Sequence, residues 1–241
     1  MSQIKLDVLA IGVHPDDVEL GCGGTILKHV DLGKSIGILD LTQGELGTRG
    51  NATLRLEEAE HARSFAGVTV RENIGLADGF FENNKAAKLE IIRIIRKYQP
   101  DIVLANAIKD RHPDHGNAAK LIYESCFLSG LKKITTIQDG EEQTQWRPRK
   151  LLNYIQDFSL TPDIVVDISG YMEKKIEYVM CFKSQFFNPQ SHEDNTPISS
   201  SEFLELLRSR ATAYGRQIGV ESGEGFTCES YVGVDNLMDL L

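Results

Sequence analysis

The sequence predicts an α/β fold in which a mostly parallel sheet carries helices on both faces. Short runs rich in Val, Ile and Leu alternate with longer segments whose apolar residues recur at helical spacing, as in βαβ units. The first run, residues 6–13, is apolar almost throughout, which is typical of a strand buried on both faces. No internal repeat or linker interrupts the 241 residues, so we predict a single domain over residues 1–241.

The first half of the chain gives the clearest elements. Pro15 ends the first strand and also biases His14, the residue before it, towards an extended backbone. Gly67 and Pro100 each end a predicted helix. Strands are predicted at residues 6–13, 35–41, 68–76 and 101–107, and helices at residues 19–30, 53–66, 85–98 and 116–128. If the strands follow the usual order 3-2-1-4, the first and the fourth are neighbours.

The second half gives weaker patterns. Residues 139–143 are typical of an exposed turn, and residues 188–197, which include His192, are predicted to form a loop. Ser199 and Glu202 fit a capping box for a last helix that ends near residue 217. The remaining predictions are strands at residues 151–158, 163–168 and 231–234, a helix at residues 171–182 and a loop at residues 221–226.

Composition and charge narrow the classes of function. The net charge is −9 and no block of Lys or Arg is evident, so we expect no nucleic-acid partner. No apolar run is long enough to span a bilayer and no secretory signal is evident, so we expect a cytoplasmic protein without a membrane partner. The cysteines form no Cys-x-x-Cys pair, which suits a reducing compartment; they are Cys22, Cys126, Cys181 and Cys228.

Two clusters of His and Asp follow predicted strands. One is His14-Pro15-Asp16-Asp17, after the first strand, and the other is Arg111-His112-Pro113-Asp114-His115, after the fourth. Either cluster alone could be a turn whose Asp side chain caps the next helix. In an open α/β sheet, however, ligands bind beyond the carboxyl ends of the strands, where the strand order reverses. Two clusters at neighbouring strand ends therefore favour one shared site.

The residue types in these clusters predict a catalytic metal site. Two imidazoles and one carboxylate form a ligand set that suits zinc, although iron(II) and cobalt accept the same set. Three protein ligands leave a position for water, and zinc makes that water more acidic and polarises a carbonyl. One Asp and one His then remain, as a base and as an acid or oxyanion partner. The residues predict metal-assisted hydrolysis without selecting amide, ester or phosphate.

Two glycine-containing segments predict further contacts. The polar loop at residues 42–51 lies at the same end of the sheet as the clusters, so Arg49 is predicted to bind a carboxylate or an acetyl oxygen there. The run Gly21-Cys22-Gly23-Gly24 opens the first helix, where it could cradle a phosphate. Its spacing departs from Gly-x-Gly-x-x-Gly. We therefore favour the interpretation that small residues let this helix pack closely against the metal loop, which is the cluster at residues 14–17.

The paired motifs resemble the PIG-L/LmbE family of zinc-dependent N-acetylglucosaminyl deacetylases, and residues 42–50 and 183–186 are similar to family segments. The resemblance covers most of the chain and implies a Rossmann-like, LmbE-like fold without a dinucleotide. It is strongest to the bacillithiol-biosynthesis deacetylases, which act on N-acetylglucosaminyl malate, so this acetylated amino sugar is the expected substrate. Relatives often form hexamers, so a homo-oligomer is expected from the resemblance alone.

The resemblance also implies roles for individual residues. Asp16 would be the general base, and His112, oriented by Asp114, would be the acid or oxyanion partner. Arg49 would hold the substrate, as a partner of a malate carboxylate. Relatives often carry His where this chain has Phe182, a departure that would leave a structural role unharmed but would alter a role in sugar contact. The implied zinc ligands are His14, Asp17 and His115.

Three alternatives stay open from the sequence. The same chemistry could act on another amide, such as a chito-oligosaccharide or a thiol conjugate. A non-catalytic nucleotide-binding module could use the glycines at residues 21–24. A metal-binding regulator without catalysis would need ligands only, and the additional base and acid argue against it.

Overall fold

The computed structural model describes residues 4–187 and 192–240. The first eight elements alternate between strand and helix, as predicted, and α3 has the predicted bounds. They are β1 (Val8–Gly12), α1 (Asp17–Asp31), β2 (Ile36–Thr42), α2 (Ala52–Ala66), β3 (Val70–Leu76), α3 (Lys85–Tyr98), β4 (Ile102–Ala105) and α4 (Pro113–Ser129).

The remaining elements include two short strands that form a hairpin where the exposed turn was predicted. They are β5 (Ile137–Gln138), β6 (Glu141–Glu142), β7 (Lys150–Tyr154), β8 (Ile164–Asp167), α5 (Met172–Val179), α6 (Ser201–Gln217), β9 (Gly223–Thr227) and a 3-10 helix (Leu237–Leu240). The loop predicted at residues 188–197 is irregular over residues 192–197, and residues 188–191 lie outside the described residues.

Seven strands form one sheet in the order β3-β2-β1-β4-β7-β9-β8. β1 lies between β2 and β4 and is parallel to both, so the predicted neighbours are confirmed. β9 runs antiparallel to β7 and β8, which makes the sheet mostly parallel. Since β1 and β4 are parallel neighbours, the segments that follow them leave the sheet at the same edge.

Each face of the sheet packs against its own layer of helices. Alternate side chains of β1 point to opposite faces, so Val8 and Ala10 join the core with α1, α2, α5 and α6. Leu9 and Ile11 join the second core, with α3 and α4. The prediction of helices on both faces is confirmed. None of the helices in the described ranges combines the length and the apolar character needed to cross a bilayer.

Helix α1 is broken near its glycines. Cys22 has φ of −143° and ψ of 24°, outside the helical region. A Cβ on Gly21 would lie 2.2 Å from the ring of Tyr154, and one on Gly24 would lie 2.7 Å from Ile168. The small residues therefore allow close packing, as predicted, but the neighbours are side chains of β7 and of the segment after β8. The metal loop, which we expected as the neighbour, is not one of these contacts.

The predicted last strand is wrong. Residues 231–234 are irregular, and Tyr231 is fully exposed. The last strand of the sheet is instead β9, which covers most of the segment predicted as a loop. Glycine weakens a local strand pattern, but it also permits close approach of a neighbour. A Cβ on Gly225 would lie 3.0 Å from Tyr214 of α6, which explains why this strand carries glycine.

The predicted capping box is also wrong by one residue. Ser200, not Ser199, is the N-cap of α6, and its side chain accepts a hydrogen bond from the N–H of Phe203 at 3.3 Å. Ser199 instead accepts, at its hydroxyl oxygen, the N–H of Thr196 at 2.8 Å. Adjacent serines offer the same local signal, and the turn before the helix decides between them.

Candidate metal centre and active site

The segments that follow β1, β3 and β4 converge on one cavity of about 320 Å³. Both predicted clusters contribute to its wall, although they lie far apart in the sequence. The parallel pairing of β1 and β4 is the reason, because it places both clusters at one edge of the sheet. The His and Asp residues that line the cavity are His14, Asp16, Asp17, Asp78, Asp110, His112, His115 and Asp157.

Asp17 lies between two imidazoles. Its Oδ2 is 3.7 Å from Nδ1 of His14, and its Oδ1 is 3.2 Å from Nε2 of His115. Ligand atoms about 2 Å from a tetrahedral zinc ion lie about 3.3 Å from one another. The two imidazoles face different oxygens of the Asp17 carboxylate, so the three side chains predicted as zinc ligands adjoin one another, and their sharing of one ion stays a prediction.

A carboxylate holds the opposite nitrogen of each histidine. Nε2 of His14 is 3.0 Å from Oδ1 of Asp78, and Nδ1 of His115 is 2.5 Å from Oδ2 of Asp110. A carboxylate at the outer nitrogen fixes the ring and leaves the lone pair of the inner nitrogen for a metal. Sequence reasoning missed Asp78 and Asp110, for which the only signal was an acidic residue after a strand.

Neutral amides hold the Asp17 carboxylate. Nδ2 of Asn106 donates to its Oδ2 at 2.9 Å, and Nε2 of Gln156 donates to its Oδ1 at 3.0 Å. Burial would raise the pKa of Asp17, but the charges and hydrogen bonds of His115 and His14 lower it well below its usual range. Asn106 and Gln156 follow β4 and β7, and sequence reasoning gave neither of them a role.

The carboxylates favour positive charge on both histidines. Burial would lower the pKa of His14, but hydrogen bonds to Asp114 and Asp78 raise it to about 10. Burial would also lower the pKa of His115, but the charge of Asp17 and a hydrogen bond to Asp110 raise it to about 9. A metal ion is a positive charge that can take the place of these protons. Its binding should therefore release protons and strengthen as pH rises.

Two groups of donors in the described part of the chain have the spacing of a shared metal ion, and both include His14 but not Asp17. One ring nitrogen from each of His14, His112 and His115 lies within 4.8 Å of the others, and His14, Asp78 and Asp114 meet the same distance. The ring centroid of His112 is 4.8 Å from that of His14 and 5.2 Å from that of His115. His112 therefore borders the space between the predicted ligands.

Asp16 lies beside these groups in a strained backbone conformation. Its φ of 128° falls in a region that residues other than glycine rarely adopt and that is found mainly at functional sites. Nη2 of the buried Arg55 donates to Oδ2 of Asp16 at 2.7 Å. Burial raises the pKa of Asp16 to about 6, although the charge of Arg55 opposes this shift. A carboxylate that gains a proton near neutral pH is suited to general base catalysis.

The Asp114 side chain contacts a different histidine from the one predicted. Its Oδ2 accepts the N–H of Gly79 at 2.9 Å and lies 3.8 Å from Nε2 of His14. His112 instead accepts the backbone N–H of Asp114 at Nδ1, at 3.3 Å. Since Nδ1 accepts, a neutral His112 carries its proton on Nε2. Burial and the charges of the neighbouring histidines lower the pKa of His112 and favour this neutral form.

Arg49 is not among the described residues that line the cavity. It is 4% exposed, its Nη1 donates to the carbonyl oxygen of Phe186 at 3.2 Å, and its Nε is 3.5 Å from Oε2 of Glu193. Its contact with substrate stays a prediction that requires these contacts to change. Phe182 is fully buried, with the guanidinium of Arg71 5.5 Å from its ring, so this departure from relatives does not alter the cavity wall.

Another part of the wall combines apolar and cationic side chains. Arg111 pairs with Asp157 at 2.5 Å, and Arg210 donates to the carbonyl oxygens of Gln156 and Asp157. A cavity with convergent polar groups and an apolar wall is typical of a small-molecule site. The apolar residues of the wall are Leu20, Leu46, Pro197, Ile198, Phe203 and Leu207.

Known proteins are similar to this chain in sequence. The family profile described as GlcNAc-PI de-N-acetylase, PIG-L, matches residues 9–126. The chain is 31% identical over 229 residues to diacetylchitobiose deacetylase of Thermococcus kodakarensis, covering 90% of this chain and 81% of that protein. It is 24% identical over 195 residues to a Bacillus anthracis protein described as Probable N-acetyl-alpha-D-glucosaminyl L-malate deacetylase 2, covering 74% and 81%.

A solved structure is similar over nearly the whole chain. It is the conserved protein TT1542 of Thermus thermophilus, with a TM-score of 0.83 and 32% identity over 95% of this chain and 98% of that one. The Rossmann-like α/β fold and the family resemblance are thus confirmed. Metal dependence in this family agrees with the groups of His and Asp in the cavity. The chain belongs to the PIG-L family of GlcNAc-PI de-N-acetylases and is a hydrolytic enzyme.

Proposed function

We propose that this enzyme removes the acetyl group from an N-acetylglucosaminyl glycoside, with zinc held by His14, Asp17 and His115. The observation that carries the proposal is the position of Asp17 between two imidazoles whose outer nitrogens are held by carboxylates. Such partners fix ligands and raise their basicity, and they are typical of metal sites. Zinc at this position would supply Lewis acidity, which polarises a carbonyl and makes water more acidic.

Asp16 is the proposed general base. It lines the cavity next to the proposed ligands, and its pKa of about 6 lets it accept the proton of the attacking water at neutral pH. Arg55 holds one carboxylate oxygen at 2.7 Å, so the other oxygen of Asp16 is the one available to the water. The same carboxylic acid can then return the proton to the amine that leaves.

His112 is the proposed oxyanion partner. Its Nδ1 accepts the N–H of Asp114, so the proton on Nε2 is the one that can be donated to the acetamide oxygen. A donor of this kind stabilises the charge that develops on that oxygen during attack by water. The proposed role for Asp114 is to orient His112 through its backbone, while its carboxylate supports His14.

Two substrates share the N-acetylglucosamine unit that the site would act on. We propose N-acetylglucosaminyl malate first, because Arg111 and Arg210 line the cavity and could pair with malate carboxylates. Diacetylchitobiose is the second candidate, since the relative that is 31% identical carries that activity in its name. The cytoplasmic location and the homo-oligomer stay predictions.

Amine release from both substrates tests the proposal. We expect zinc-dependent release of a primary amine, and we expect Arg111→Ala to raise KM about tenfold for the malate glycoside but not for diacetylchitobiose. His115→Ala should abolish zinc binding and turnover, whereas His61→Ala, on the exposed face of α2, should change neither. No amine release from either substrate by protein shown to hold zinc would overturn the proposed substrate class.

A further inference from the structure

A buried ion pair holds the break in α1. Glu224 of β9 is 4% exposed, and its carboxylate oxygens accept the N–H groups of Gly24 and Thr25 at 3.0 and 2.7 Å. Nζ of Lys175, on α5 and also 4% exposed, donates to Oε1 of Glu224 at 2.6 Å. In an unbroken helix the two N–H groups would donate to carbonyl oxygens four positions earlier. Glu224 thus provides acceptors where the backbone of Cys22 leaves the helical region.

Side chains of the protein itself supply both the anion and its counter-charge at this break. The N-terminus of a helical segment carries partial positive charge and attracts an anion. Here Glu224 is that anion, and Lys175 neutralises the carboxylate that burial would otherwise disfavour. Gly24, the last residue of the run Gly21-Cys22-Gly23-Gly24, and Thr25 after it therefore present their N–H groups to a side chain of the same protein. The phosphate cradle considered from the sequence is filled in this way.

We infer that Glu224 is a positioning residue for the metal centre. Its carboxylate caps the second part of α1 and so sets the direction of the first part, which carries Asp16 at its N-cap and Asp17 in its first turn. The break at Cys22 follows Asp17 within two helical turns, so a change of direction there moves the Asp17 carboxylate directly. The inference rests on the proposed function, because it assigns Asp17 to the metal.

The ion pair also adjoins the substrate cavity. Leu20, Leu207 and Arg210 line both the active-site cavity and a void of about 20 Å³ that Glu224 and Lys175 border. Leu20 belongs to the first part of α1, between the proposed ligand and the break. A shift of this segment would therefore change both the ligand geometry and the cavity wall. Its position beside the wall of the substrate cavity distinguishes this ion pair from charge pairs on the protein surface.

Two double variants separate positioning from simple stabilisation. Glu224→Leu with Lys175→Met removes the cap and leaves no buried charge unpaired. Glu224→Gln with Lys175→Met keeps an oxygen that can accept one of the two N–H groups. We expect zinc affinity, measured by competition with a chromophoric chelator, to fall about tenfold in the Leu variant. In the same variant kcat should fall by a larger factor than KM changes. The Gln variant should keep most of the wild-type zinc affinity and most of the wild-type kcat.

A remote destabilised variant is the control. Ile94→Ala lies in the core between the sheet and α3, on the other face, and should lower the melting temperature without changing zinc affinity. Wild-type zinc affinity and kcat in the Leu variant would overturn the inference. A loss of zinc affinity in Ile94→Ala equal to that of the Leu variant at similar melting temperature would also overturn it.

A third variant decides the question if the Leu variant does not fold. In Glu224→Gly, sodium formate can supply the missing carboxylate between Lys175 and the N–H groups of α1. We expect formate, but not sodium chloride at equal ionic strength, to restore zinc affinity, and an equal effect of both salts would refute the role. Zinc affinity is measured without substrate. A wild-type protein that binds zinc but releases no amine would thus refute the proposed function alone.

Discussion

Replacing Asp110 by Asn should weaken zinc binding because it removes the partner that fixes His115. Oδ2 of Asp110 lies 2.5 Å from Nδ1 of His115, and Oδ1 accepts the N–H of Phe158 at 2.7 Å. An Asn amide cannot serve both donors, since one of its two ends is itself a donor. If the amide NH2 faces His115, the proton of the ring moves to Nε2, the nitrogen that faces Asp17.

The expected size of this effect follows from the loss of one carboxylate partner. Such losses reduce metal affinity about 10–100-fold, which corresponds to about 1.4–2.7 kcal/mol. Burial would raise the pKa of Asp110, but the hydrogen bonds from His115 and Phe158 lower it, so the partner is a carboxylate at any pH where zinc binds. The loss should therefore be present across the neutral pH range.

Zinc competition with a chromophoric chelator measures this affinity. Asp163→Asn is the matched control, because Asp163 also accepts a backbone N–H, that of Cys228 at 2.7 Å, but does not line the cavity. We expect the control to bind zinc as the wild type does. Unchanged zinc affinity in Asp110→Asn would refute the assignment of His115 as a ligand held through its outer nitrogen.

Three further predictions concern catalysis, metal removal and pH. Asp16→Asn should lower kcat about 10²–10⁴-fold in steady-state assays while one zinc per chain stays bound, and retained kcat would exclude Asp16 as the base. At a free zinc concentration of about 1,000 times the Kd for zinc, bound zinc should add about 4 kcal/mol to the free energy of unfolding, so its removal should lower Tm by about 8–16 °C in calorimetry. An unchanged Tm would contradict a zinc site that is formed by folding. Hydrogen bonds from Lys97 and Tyr98 outweigh burial and lower the pKa of Glu72, so wild-type stability in urea should fall as pH drops below 4.5. In Glu72→Gln this acid-dependent loss should be smaller, and an equal loss would exclude Glu72 as its source.

The first half of the fold was predictable because its signals are local. The strands β1, β2 and β4 are short, mostly apolar runs, and a shared edge follows from one rule of strand order. The last strand escaped prediction because β9 contains two glycines and a glutamate, residues that locally indicate a loop. Its glutamate is buried only because Lys175 and the N–H groups of α1 meet it there, and these partners are distant in sequence.

The residues of the candidate site could likewise be predicted only where they lie close together in the sequence. The residues of the two clusters were found from their spacing, since each cluster is contiguous in the sequence. Asp78 and Gln156, by contrast, follow β3 and β7 and reach the cavity only through the assembled sheet. Arg49 was predicted at the site from its loop; its guanidinium contacts the carbonyl oxygen of Phe186 and the carboxylate of Glu193, and its contact with substrate stays a prediction. Long-range contacts of this kind leave no local pattern.

Zinc titration of chelator-treated enzyme measures whether turnover depends on one zinc ion per chain. Primary-amine release is measured on whichever of N-acetylglucosaminyl malate and diacetylchitobiose the wild type hydrolyses faster, while zinc is added in steps. We expect no turnover at first, then a linear rise that ends at one zinc per chain, and no rise in His115→Ala. Turnover by the metal-free protein at the rate of the zinc-loaded enzyme would contradict this dependence on zinc.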